Sequence, residues 1–231
     1  MYTPPGYLTA LSTLTEIKRN VNSVLYTEFH PRKRKISSSD IMPLLNALNG
    51  WLSSLPSHLT NFSHVATSHK RAVAALHLRY WYAVILVTRP FLFYTALRRK
   101  TLTNPDKVKL FENLSEMNMS AVRKCLQILQ QMSADRLLSN LISFDATCLL
   151  ELIQLCAVRV IENGDKACLD SIKQCHDILR SMEDWGWTKM VIIETTAQLI
   201  EQGVLKDESN HDLMEPSLDA IFETPGSISG M

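Results

Sequence analysis

Leu8, Leu11, Leu14, Ile17, Val21, Val24 and Leu25 recur every three or four residues. That is the period of a helix with one apolar face, and it predicts an amphipathic helix over about 8–29. The same period returns along the chain to about residue 202, and little interrupts it. Only 7 of the 231 residues are glycine, about 3% against an ordinary ~7%. Long helices joined by short loops are expected, and sandwiches, barrels and glycine-rich nucleotide folds are disfavoured.

Punctuation between the periodic runs sets the expected boundaries. Asp40 is a candidate N-cap for a helix carrying Leu44, Leu45, Leu48, Trp51, Leu52 and Leu55, with Pro56 as its stop and 57–67 as a polar loop. Thr67 or Ser68 opens a third helix, to about Thr88, that is apolar on nearly every side (Ala72, Val73, Leu76, Tyr80, Ala83, Val84, Leu86, Val87). Such a helix belongs at the centre of a bundle. Arg89-Pro90 is expected to end or kink it, because proline removes a backbone donor and clashes with the preceding turn. Arg89 would then sit at a helix C-terminus, where the dipole favours a cation.

Asn104-Pro105 pairs an N-cap with proline at the first helical position, predicting a helix over about 105–132. Ser143 or Asp145 opens the next helix and Gly164 closes it. Asp165 caps a sixth, Trp185-Gly186-Trp187 reads as a turn, and a last helix over about 188–202 ends at Gly203. The expected fold is all-α, a single helical bundle of about seven helices spanning 1–203. Residues 204–231 are expected to form a disordered acidic tail, since 207–231 hold six acids and no Lys or Arg.

The net charge of +1 conceals an asymmetry. Residues 1–130 carry 17 Lys and Arg against 6 Asp and Glu, and residues 131–231 carry 7 against 17. Either the two halves fold together and neutralise each other, or the basic half meets an anionic partner. The five cysteines (Cys125, Cys148, Cys156, Cys168, Cys175) all fall inside helical runs with no C-x-x-C pair. They read as buried, reduced thiols of an intracellular protein. The start, Met1–Gly6, lacks the charged-then-apolar pattern of a secretory signal. In the most apolar stretch, Ala72–Leu97, the uncharged run between Arg79 and Arg89 is nine residues, too short for a membrane span.

Little in the chain points to catalysis. No G-x-S-x-G, H-E-x-x-H, G-x-G-x-x-G or phosphate-loop pattern is present. His58, His64, His69 and His77 are spaced 6, 5 and 8 apart, which shares no helical face and reads as solvated loop histidines rather than a metal site. Cys168 and Cys175, with His176 adjacent, read as core residues of one helix face. The chain is therefore expected to be no enzyme, and no metal or cofactor is expected on it. Arg32, Lys33, Arg34 and Lys35 repel one another and belong in solvent, as a plain loop or as a nuclear-import signal. In the tail, Leu213, Met214, Glu215, Leu218, Asp219, Ile221, Phe222 and Glu223 interleave acids with apolar residues. That is the composition of a disordered activation segment or of an inert terminus.

The run from Leu76 to Leu92, Leu-His-Leu-Arg-Tyr-Trp-Tyr-Ala-Val-Ile-Leu-Val-Thr-Arg-Pro-Phe-Leu, resembles the signature helix of the fungus-specific transcription factor domain. This is the "middle homology" region of fungal zinc-cluster regulators. The Leu76-His77-x-x-Tyr80 spacing and the Arg89-Pro90-Phe91-Leu92 ending carry the likeness. Upstream, Trp51-Leu52, Leu55-Pro56 and Leu59 look like the family's preceding segment, and the resemblance covers about residues 8–203. It implies a nuclear regulator of transcription, often of metabolic or secondary-metabolite genes, working with the transcription machinery or other regulators, as a homodimer, and under a small-molecule inducer. The family's DNA contacts come from an N-terminal six-cysteine cluster holding two zinc ions. Here the first cysteine is Cys125, so the chain resembles the C-terminal part of such a regulator. Zinc is expected only in a cluster outside this sequence, and DNA contact only indirectly or through that region. The alternatives are a cytoplasmic location and a stand-alone interaction or metabolite-sensing module, its ligand held among Trp51, Tyr80, Trp81 and Phe91. In that last case the competing reading is that these aromatics only pack the core.

Overall fold

The structure is a computed structural model and describes residues 3–26, 38–61, 65–98, 104–138, 143–182 and 186–205. Among the described residues the chain is all-α: α1 (Tyr7–Leu25), α2 (Ser38–Ser53), α3 (Ser57–Thr60), α4 (Thr67–Arg98), α5 (Pro105–Ala134), α6 (Ser143–Asn163), α7 (Lys166–Ser181) and α8 (Gly186–Glu201). The basic run Arg32–Lys35 and the tail from 206 onward, including its interleaved acids and apolar residues, lie outside the described residues.

Helix α4 runs through the centre. Val73, Ala74, Leu76, Leu78, Ala83, Ile85, Val87 and Leu92 are sealed from solvent on all its sides, as the all-round apolar pattern predicts. Its antiparallel partner is α5. Helices α1 and α2 pack on each other and on α4, α6 packs on α4 and α5, and α7 packs on α5 and α6. Helix α8 seals the far edge through Ile192 and Leu199.

Several starts and stops follow from local chemistry. The Asn104 side chain accepts the Lys107 backbone N–H at 3.1 Å, with Pro105 in the first turn. The Asp165 carboxylate accepts from the N–H groups of Ala167 and Cys168 at 3.0 and 3.2 Å. Gly164 follows α6 at φ 70°, a conformation that disfavours any side chain.

Other boundaries differ from the sequence expectation. Helix α1 ends at Leu25, with Tyr26 as its cap. Asp40 lies inside the first turn of α2 instead of capping it. Pro56 starts α3 within the stretch expected to be loop, and this short helix raises the number from seven to eight. Gly186 and Trp187 belong to α8, whereas a turn was expected there. Past Gly203, Val204 and Leu205 still pack on the core. The largest departure is α4, which continues from Thr88 through Pro90 to Arg98.

Candidate functional site

The polar groups of the bundle gather where α1, α4 and α6 meet, and Pro90 explains part of their arrangement. A helical proline leaves the carbonyl four residues earlier without its N–H partner. That carbonyl is Leu86, and the Tyr26 hydroxyl donates to it at 2.6 Å. The chain can therefore stay helical beyond Pro90. The neighbouring Arg89 is not at a helix end. Its guanidinium lies 5.1 Å from the Tyr26 ring centre and donates to Glu151 of α6 at 2.7 Å. Burial opposes the Arg89 charge, but the hydrogen bond and charge of Glu151 outweigh it and hold the group above its ordinary pKa. Burial, with Glu151 next, pushes the nearby Tyr82 hydroxyl up to about 12.

One further pair is deeper. Arg71 of α4 donates to Asp145 of α6 at 2.5 Å, and their side chains are 7% and 2% exposed. Burial raises the Asp145 carboxyl above its ordinary value, against the pull of the Arg71 charge and hydrogen bond. At the edge, Lys70 and Asp135 lie 3.4 Å apart. All three pairs join a cation of the basic half to an acid of the acidic half, so part of the charge asymmetry is neutralised inside the fold. At the α4–α5 contact, Asn118 donates to Thr88 Oγ1 at 2.9 Å and to the Ile85 carbonyl at 3.3 Å, all out of solvent.

The signature residues are points of contact between helices. Trp51 stacks on Tyr80 with ring centres 5.5 Å apart, and its indole N–H donates to the Ala10 carbonyl at 2.9 Å. Tyr80 meets Trp81 edge-on at 4.9 Å. Phe91 packs against Phe111 of α5 at 5.2 Å. Leu55, Leu76 and Leu92 are buried in the core, and Pro56 turns the chain into α3. Trp51, Tyr80 and Phe91 are at most 5% exposed, so they fill the core rather than surround a ligand. Trp81 differs: with Leu52, Thr60, His77, Lys124 and Gln127 it lines a cleft of about 470 Å³ between α3, α4 and α5.

The histidines divide by burial. His58 and His69 lie on α3 and α4, not in a loop, and His64 is outside the described residues. His77 Nε2 donates to the Leu59 carbonyl at 2.7 Å; burial lowers its pKa and this hydrogen bond only partly offsets that. His176 is buried 3.4 Å from Thr195 Oγ1, and burial, then the Arg180 charge, lowers it to about 4. All five cysteines are free and buried. Cys148 has Cys125 as a neighbour, and Cys156 has Cys168. These neighbouring thiols, with burial, push the Cys148 and Cys156 thiols up, and burial does the same to Cys175. Among the described residues no three His, Cys, Asp or Glu side chains are grouped to hold a metal ion, and no helix is long and apolar enough to cross a membrane.

Sequence reasoning missed the partners of these groups: Tyr26, Glu151, and the Arg71–Asp145 pair. One signal was available. A cation at position 71, on a helix apolar all round, requires a buried acid opposite it. No family model, curated protein or solved structure matches this chain.

Proposed function

We propose that this chain is a regulatory helical domain of a transcription regulator, of the fungal type that its signature resembles. One observation carries the reading. Four of the residues that carry the likeness, Trp51, Tyr80, Arg89 and Phe91, also tie α4 to other helices. A motif with these members at interhelix contacts supports a shared architecture, and through it a shared regulatory role. The domain acts in the nucleus through partners, the transcription machinery or other regulators. Arg32–Lys35 serves for import, and the segment around Leu218, Ile221 and Phe222 contacts the partner.

A fluorescently tagged copy tests the location: it accumulates in nuclei, and replacing Arg32–Lys35 by glutamine disperses it. Tethering the chain to an unrelated DNA-binding domain tests the role. Reporter output changes, and Leu218→Ala with Phe222→Ala reverses the change. A tagged chain excluded from nuclei, with an unaffected reporter, overturns the proposal. The cleft beside Trp81 favours a second reading, a stand-alone metabolite-sensing module. Quenching of tryptophan fluorescence by a metabolite extract, lost in Trp81→Leu, would support that one instead.

A further inference from the structure

Six cations of the described residues are buried or half-buried: Lys18, Lys70, Arg71, Arg79, Arg89 and Arg159. Four of them face a carboxylate, on Asp135, Asp145, Glu151 and Glu162 respectively. Lys18 of α1 and Arg79 of α4 form no ion pair among the described residues, and Asp145, already held by Arg71, feels the Arg79 charge only from further off. Instead they converge on one ring. Arg79 Cζ lies 4.5 Å from the centre of Phe144, and Lys18 Nζ lies 5.9 Å from it and 5.4 Å from the Tyr82 ring. Arg79 Nε is sealed from solvent with no acceptor. Burial lowers the Lys18 pKa, and the charge of Arg79 lowers it further, the signature of two like charges held together out of water.

Contact with the aromatic faces only partly offsets that repulsion. Folded proteins rarely leave a buried guanidinium N–H without an acceptor. Among the described residues, Lys18, Arg71, Arg79 and Arg89 stand against Asp145 and Glu151, so two positive charges are in excess there. Phe144 stands in the first turn of the 21-residue α6, where the helix dipole adds to the positive potential.

We propose that the Lys18–Arg79 pair binds a dianionic phosphate group carried by a small molecule, which supplies the acceptors and the charge that this corner of the seam lacks. A guanidinium fork takes two phosphate oxygens side by side, and an ammonium takes a third as a point charge. The dianion matches the excess of two charges, and a single carboxylate does not. The site stands apart from the transcription reading, because it rests on this cation pair and is tested on the protein alone.

The experiment is thermal unfolding of the full chain at constant ionic strength, with inorganic phosphate, glucose 6-phosphate or succinate, at a pH where phosphate is dianionic. Phosphate or glucose 6-phosphate raises Tm by a few degrees at saturating concentration, and succinate raises it less. Whichever of the two gives half the effect at lower concentration identifies the source, free phosphate or a phosphate ester. Lys18→Met and Arg79→Met each weaken apparent binding about tenfold or more. Arg79→Lys keeps the charge and restores part of the response. The proposal is overturned if neither phosphate species raises Tm, if succinate matches them, or if the Met variants respond as the unsubstituted chain does.

Discussion

Helix α6 meets its neighbours in two ways. Toward α1 and α4 it presents Asp145 and Glu151, and every buried acid there is held by an arginine. Toward α5 and α7 it presents Cys148 and Cys156, beside the thiols of Cys125 and Cys168, and burial with these neighbours keeps them protonated. Both faces bury polar atoms, but the consequences differ. An ion pair in the interior depends on its partner, since a lone buried charge costs far more than the pair gains. A neutral thiol behaves as a small apolar group. The charged face therefore ties α6 to α4 through partners that cannot be removed singly without cost, while the thiol face fills space.

This contrast orders the expected effects of substitution. Arg71→Met leaves Asp145 buried without a counter-charge and should lower stability by about 3–5 kcal/mol in urea unfolding. Asp145 then takes up a proton to fold. Because its folded pKa is already raised, the variant regains stability as the pH falls through the carboxyl range. An equal loss from Cys148→Ala would erase the distinction between the two faces. That substitution should cost about 1–2 kcal/mol, near the lower end for a small core truncation.

On the side of α7 toward α8 the imidazole of His176 is buried neutral. Its folded pKa, about 4, lies below the ~6.5 of an unfolded histidine. The unfolded chain therefore binds the proton more tightly in this window. Stability from this group is full above about pH 6.5 and is lost as the pH falls toward 4, a change on the order of a few kcal/mol. His176→Gln should flatten Tm against pH over that window, and an unchanged slope would place the titration elsewhere.

Tyr26→Phe removes the donor to the Leu86 carbonyl and should cost about 1–3 kcal/mol. In a Pro90→Ala background the helix supplies its own N–H at position 90, so the same change should cost less than 1 kcal/mol by this argument. A double-mutant cycle with no coupling would sever Tyr26 from Pro90. The thiol face gives the smallest perturbation of all. The five buried cysteines should be silent toward a thiol-reactive disulfide in the native protein and react fully once it is denatured.

Much of this fold could be read along the chain because its causes are local. Asn104, Asp165 and Gly164 act on backbone groups within a few residues of themselves. The all-round apolar pattern of residues 72–87 requires a central position whatever surrounds it. The candidate site was legible only as isolated letters. Trp51, Tyr80 and Phe91 stood out as a signature, but reading them as a ligand cavity did not hold, because their rings fill the space between helices. Arg89 and Pro90 also stood out, but the helix does not end there.

Periodicity and capping along the chain specify the class of fold, several of the helix starts and the centrality of α4. Tertiary structure alone decided that α4 passes Pro90, since the compensating hydroxyl comes from Tyr26, 60 residues before Leu86. It also decided which acids neutralise which cations, as Arg71 and Asp145 are 74 residues apart. And it decided that Lys18 and Arg79 meet on one phenylalanine ring, with no ion pair among the described residues. Charge pairing is set by distance in space, and helical periodicity specifies which face a residue occupies but not what that face will meet.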